Sequence, residues 1–131
     1  MEHRGALRPY HELPGLEHLY LEDSYLLQLI ESDESLTFVV EAALREGHPQ
    51  WHPAKPGKQY CYRQVRIAFP NPSQIDWVER TFQPFKDRYG DIDYGNIDDF
   101  RWDGSWFRLL GWWGHVEITS APPVVTDHVP A

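Results

Sequence analysis

Between two aromatic runs, Phe100-Arg-Trp102 and Trp106-Phe-Arg-Leu-Leu110, the chain carries the pair Asp103-Gly104. Asp-Gly readily adopts the positive-φ conformations of the tight turns whose twist matches paired strands, which makes it the strongest short-range hairpin signal here. The hairpin predicts a chain built of strands, because the stretches on either side of it read as further strands able to pair with it or pack on it. The same stretch begins upstream as an acidic turn around Gly95-Asn96.

The alternation elsewhere agrees. In Ser24–Ile30 (SYLLQLI) a period of two places Tyr25, Leu27 and Leu29 on one face. In Leu36–Leu44 it places Leu36, Phe38, Val40, Ala42 and Leu44 on one face, with Thr37, Val39, Glu41 and Ala43 opposite, the pattern of a half-buried strand. Residues 45–58 hold three prolines and two glycines and read as a long loop. Gln59–Phe69 then alternates again, with Cys61, Val65, Ile67 and Phe69 against Tyr60, Tyr62, Gln64 and Arg66. Arg63 falls on the apolar side of that strand and needs a carboxylate or carbonyl partner if buried. Residues 74–82 fit either a short helix, with Ser73 and Asp76 as a capping box, or a strand; Pro84 forbids a long helix and strand is preferred. Gly111-Trp-Trp-Gly114 reads as a turn, His115–Thr119 as a strand, and Val124-Val125 as a short edge segment.

Short strands joined by Pro, Gly and Asp turns predict a mainly β fold: a single-domain antiparallel sandwich or partly closed barrel with at most one short helix. The connections are too short for the crossover helices of a parallel sheet. The expected organisation is a flexible lead-in over residues 1–15, one domain over 16–126, and a tail over 127–131. A length of 131 residues suits one core, and 15% aromatic residues with six Trp argue against disorder.

Charge narrows the partners. At a net −8 and a pI near 5.2, the chain repels phosphate backbones, so a basic protein is a more natural partner than nucleic acid. A second copy of the chain is the other protein partner considered. A lone cysteine, Cys61, leaves no internal disulfide and no cysteine cluster for zinc, and between two tyrosines it reads as a small buried apolar residue. No apolar run has the length of a membrane span, and the first twenty residues lack the apolar segment of a signal peptide; cytoplasmic location is expected.

No catalytic signature is present, and no cofactor is implied. His48 and His52 stand four apart, but Pro49 and Pro53 oppose a helix there and no Glu of an HExxH motif lies between them, so they are weak metal candidates. Asp91, Asp93, Gly95, Asn96 and Asp98 superficially suggest calcium. An EF-hand spacing from Asp91 fails, since Gly95 falls at the fifth position and Trp102 at the twelfth. Turn formation explains Gly95 and Asn96 better; it accounts less well for so many carboxylates in one segment, because like charges repel. Paired carboxylates near Trp also raise a glycosidase-like acid/base reading.

The aromatic residues of the same region are the remaining candidates. Trp102, Trp106, Trp112 and Trp113 cannot all point inward by alternation, and rings left outside suit a partner surface. The candidate binding set is therefore Asp91, Asp93, Asn96, Asp98, Trp102, Trp106, Trp112 and Trp113. The expected role is non-catalytic protein binding, with a small-ligand or metal-binding barrel as the alternative and a carboxylate hydrolase behind both.

The segments Leu21-Glu-Asp-Ser-Tyr25, His48-Pro49, Pro56-Gly-Lys-Gln-Tyr-Cys-Tyr62, Asp93-Tyr-Gly-Asn-Ile-Asp98 and Gly111-Trp-Trp-Gly-His-Val-Glu-Ile118 resemble a small family of bacterial proteins without an assigned activity. The resemblance spans most of residues 20–125 and implies a single soluble β-rich domain. In size and acidity the chain is also similar to immunity proteins of bacterial toxin systems. Neither likeness transfers a functional residue.

Overall fold

The computed structural model describes residues 6–128. Three consecutive strands, β2 (Leu19–Glu31), β3 (Ser35–Leu44) and β4 (Tyr62–Pro70), form a meander whose free edge takes β11 (Val124–Asp127). A second sheet holds the meander β8 (Ile97–Asp103), β9 (Trp106–Gly111) and β10 (Gly114–Thr119). It is edged by β1 (Arg8–Pro9) beside β8 and by β5 (Gln74–Arg80) beside β10. A small hairpin of β6 (Phe85–Lys86) and β7 (Ile92–Asp93) stands apart. All these strand pairs are antiparallel.

The two larger sheets stack as a sandwich and do not close into a barrel. Phe38, Val40, Val65, Ile67 and Phe69 from one meet Phe100, Phe107, Leu109, Trp113, Val116 and Ile118 from the other in one buried cluster. Rings cross the gap: Phe69 lies 5.3 Å from Phe107 and Phe38 lies 5.6 Å from Trp113, centroid to centroid. Big rings fill a small core efficiently, since each buries a large apolar area. No α-helix occurs among the described residues; the one helical piece is a 3-10 turn at Tyr10–Glu12.

Most strand expectations hold, including the strand at residues 74–80 and the inward face of β3. Thr37, Val39 and Ala43 on the opposite face of β3 are buried as well, because this central strand is flanked by long side chains of β2 and β4. Arg63 has its carboxylate: Nε and Nη2 donate to the two oxygens of Asp127, each at 2.9 Å.

Three expectations change. The turn of the β8–β9 hairpin is Gly104-Ser105, with Asp103 already paired to Trp106; Gly104 carries the positive φ of +60°. In β2, Tyr25 faces out opposite Glu41, whereas Leu26 and Leu29 face in opposite Val40 and Phe38. Two irregularities cause this. Five steps of β2 from Tyr20 to Tyr25 match two steps of β3, and a second slip falls between Leu26 and Gln28. Each inserts an odd number of residues and so swaps the faces. Ser24 repairs the first gap: its buried hydroxyl donates to the Tyr20 carbonyl at 2.7 Å and accepts from the Ala43 amide at 2.9 Å.

The third change concerns the lead-in. Tyr10 and Leu13 are buried in the core with Leu16, and β1 pairs with β8, so the described part of residues 1–15 is docked. Residues 1–5, and 129–131 of the expected tail, lie outside the described residues. Asp127 and His128 still belong to the sheet, the former in β11 and the latter donating its amide to the Gln64 carbonyl.

Candidate interaction rim

Two glycines and two tryptophans make the β9–β10 turn, with Gly111 paired to Gly114 and both indoles in the loop. Trp113 turns inward and is fully buried, donating Nε1–H to the Asn96 carbonyl at 3.0 Å. Gly111 permits this. A Cβ there would overlap both the Trp113 indole nitrogen and the Asn96 carbonyl oxygen.

Trp112 turns outward and is 62% exposed. Its ring meets that of Phe85, itself 45% exposed, at 5.8 Å. Gly95 (φ +95°) passes beneath them, close enough that a Cβ would sit 3.2 Å from the Trp112 Cβ. The turn is held by the neighbouring chain: Thr81 Oγ1 donates to the Trp112 carbonyl, and the amides of Thr81 and Phe82 both donate to the Trp113 carbonyl. Phe82 takes a φ of +48°, costly for a bulky residue. Its ring is anchored among Trp77, Tyr94 and Trp113, at 5.7, 5.4 and 5.9 Å.

The acidic residues divide into turn builders and outward charges. Asp87 Oδ1 accepts from the amides of Tyr89 and Asp91, closing the β6–β7 turn, with Asp91 exposed at its end. Asp93 lies opposite Phe85 in the ladder, and its Oδ1 accepts from the Gly95 amide at 2.8 Å. Asn96 is structural. Its Nδ2 donates to the Ser24 carbonyl and its own carbonyl receives Trp113, tying β2 to the Trp turn. Leu26 strengthens that tie by exchanging backbone hydrogen bonds with Tyr94 and Gly95.

Asp98 is exposed, and its carboxyl is pushed above the usual carboxylate range by partial burial and then by the charge of Glu22. The charged neighbour that its carboxyl feels is Glu22 on β2. Trp102 is half-buried, donates Nε1–H to the Pro9 carbonyl at 2.9 Å, and carries the Arg8 guanidinium over its ring. Trp106 is buried. Of the four candidate indoles in this region, only Trp112 presents most of its surface outward.

His48 and His52 sit in the 45–61 loop. His48 Nδ1 accepts from the Gln50 amide, and a His52 ring nitrogen lies 2.9 Å from the Pro53 carbonyl. Burial, then the nearby His18, pushes the His48 imidazole below its ordinary value. Among the described residues no group of three His, Cys, Asp or Glu is placed to hold a metal ion. Cys61 is buried and free, its sulfur receiving the His52 amide.

One cleft escaped the sequence reading. A cavity of about 360 Å³ opens beside the docked lead-in, lined by Pro9, Tyr10, His11, Glu22, Asp99, Phe100 and Arg101. Tyr10 Oη donates to Glu22 at 2.7 Å and receives the Leu21 amide at 3.0 Å; burial and then the Glu22 bond push its pKa up to about 12. Asp99 bridges Arg101 and Arg108 at 3.0 and 2.8 Å. Only assembly of the lead-in against β2 and β8 creates this cleft, and no motif marks it.

No helix among the described residues is long and apolar enough to cross a membrane. Compared with protein-family models, curated proteins and solved structures, the chain matches none.

Proposed function

We propose that the protein is a non-catalytic interaction module, immunity-like or accessory in kind, which grips a basic protein through the rim formed by Trp112, Phe85 and the acidic 87–98 segment. One observation carries the reading: the exposed Trp112 and Phe85 rings adjoin, and the Trp112 turn is held by hydrogen bonds from Thr81 and Phe82. Rigid aromatic side chains lose little entropy on binding and dominate interface energetics. The surrounding carboxylates, on a chain of net charge −8, favour and orient a positively charged partner.

The test compares immobilised wild-type protein with Trp112→Ala, each exposed to the proteome of the source cell and eluted by stepwise salt. A basic protein retained by the wild type, absent from the variant and released as salt rises supports the reading, because exposed charge attraction is screened. The same retained set on both surfaces overturns it. Sedimentation of the wild type alone addresses the second-copy alternative: a dimer abolished by Trp112→Ala reassigns the rim to self-association.

The cleft favours a second reading, a small polar ligand held between His11, Arg101 and Glu22. A thermal-shift panel tests it, since a ligand that binds only the native state must raise the apparent stability. No shift with any small anion, sugar or amine removes it.

A further inference from the structure

On the side of the molecule away from the core, the outer face of the β2–β3–β4 sheet carries a row of four tyrosines. Tyr20 and Tyr62 flank Ala43 in register, and Tyr25 sits beside Glu41. Centroids run 5.6 Å from Tyr20 to Tyr60, 6.2 Å from Tyr60 to Tyr62 and 6.2 Å from Tyr62 to Tyr25. Successive pairs are edge-on or tilted; Tyr25 is exposed, and Tyr20, Tyr60 and Tyr62 are half-buried. Tyr60 is fixed by donating its hydroxyl to Asp23 at 2.9 Å.

Part of the row already holds a cation. The Arg45 guanidinium lies 4.4 Å from the centre of the Tyr20 ring, with Nε donating to the Leu19 carbonyl. Along the rest of the row, from Asp23 at Tyr60 to Glu41 beside Tyr25, the charge is unbalanced. Among the described residues, neither Asp23 nor Glu41 has a basic side chain within salt-bridge range. The Tyr62 hydroxyl is pushed above its ordinary value by burial first, then by the neighbouring Tyr25 hydroxyl, and after that by the charges of Asp23 and Glu41. A surface combining aromatic faces with uncompensated carboxylates attracts cations by ring quadrupole and by charge together.

We infer that Tyr25, Tyr60 and Tyr62, with Asp23 and Glu41, form a recognition site for an arginine or lysine side chain of a protein partner, repeating between chains what Arg45 and Tyr20 do within this one. The site uses a different sheet face from the Trp112 rim and does not depend on the rim's role. Guanidinium is the better occupant, since it stacks flat on aromatic rings and donates to carboxylates at the same time.

The experiment titrates an acetylated, amidated hexa-arginine peptide into ¹⁵N-labelled protein, with a hexa-citrulline peptide as the uncharged control of equal shape. Saturable shifts are expected at the amides of residues 23–25, 41 and 60–64 with the arginine peptide, and none with citrulline. Tyr62→Ala should weaken the affinity about three- to tenfold and Tyr62→Phe should restore it, since the attraction resides in the ring. Tyr25→Ala, at the exposed end of the row, gives the same weakening should Tyr62→Ala fail to fold. Equal binding of the citrulline peptide, absence of saturable shifts, or affinities indifferent to both alanine variants overturns the inference. Shifts confined to residues 85–93 and Trp112 also overturn it, while leaving the rim reading intact.

Discussion

Trp112 and Trp113 are neighbours in the chain and opposites in environment. Trp113 is sealed among Phe38, Trp77 and Phe82, with its indole N–H satisfied by Asn96; Trp112 meets Phe85 and otherwise faces out. Both occupy a two-residue loop, where the alternating rule of a strand no longer assigns sides. The assignment comes instead from contacts distant in sequence: the gap that Gly111 leaves and the Asn96 carbonyl waiting in it. One turn therefore serves the core with one ring and a surface with the other, and the two rings should respond to substitution in different currencies.

The largest effect expected is that of Trp113→Ala, a loss of about 3–5 kcal/mol of stability, read as a fall in the denaturant midpoint. It removes a fully buried ring from the junction of the two sheets and strands the Asn96 carbonyl. Next comes Trp112→Ala, whose folded stability should stay within about 0.5 kcal/mol of wild type, as for an exposed side chain. Its cost should appear in association, at about 2 kcal/mol or more if the ring anchors the interface. Equal destabilisation by the two variants would abolish the distinction between core ring and rim ring.

How far this division was legible in the sequence depends on where the periodicity is interrupted. The faces of β3 and β4 follow from alternation because each strand keeps register throughout. Those of β2 do not, because two slips against β3 turn Tyr25 outward and Leu26 inward, and nothing in the residues 20–30 announces a slip. The tyrosine row was hidden for the same reason: strict alternation puts Tyr20 and Tyr25 of β2 on opposite faces, and only the slip between them brings both alongside Tyr60 and Tyr62. The acidic segment was visible as composition, but its division of labour was not. Asp93 and Asn96 spend their polar groups on the backbone of their own fold, leaving Asp91 and Asp98 facing out.

A middle-sized effect tests the docked lead-in against the rim. Tyr10→Phe keeps the buried ring but removes the hydroxyl that receives the Leu21 amide and donates to Glu22, at an expected cost of about 1–2 kcal/mol. The pH dependence carries a sign. The Tyr10 pKa is held at about 12, above its ordinary 10.0, so the folded state retains this proton where the unfolded chain has lost it. Its contribution is complete below pH 10 and is lost as pH rises from there through the folded value. The alkaline decline in stability should therefore be shallower in Tyr10→Phe; an unchanged slope would show that the hydroxyl is not held as described.

The smallest effect separates charge from packing at the edge of the Trp113 cluster. Arg80 donates both Nη atoms to Glu31, joining the end of β5 to the end of β2 across the two sheets, while its guanidinium also lies 4.6 Å from the Trp77 ring centre. The Glu31 side chain is half exposed, so screening limits the pair to no more than about 1 kcal/mol. Glu31→Gln should cost that or less. Arg80 holds the Glu31 carboxyl below the usual range, so its contribution is present above the unfolded carboxylate pKa and is lost as pH falls through the lower folded value. Added salt should shrink the Glu31→Gln difference. Arg80→Ala should cost more than Glu31→Gln and keep its excess in high salt, because it also uncovers Trp77 and Phe82, the rings that close the cluster around Trp113. If the two variants lose the same stability and both differences vanish with salt, Arg80 acts as a surface charge alone, and the seal around Trp113 must come from the rings without it.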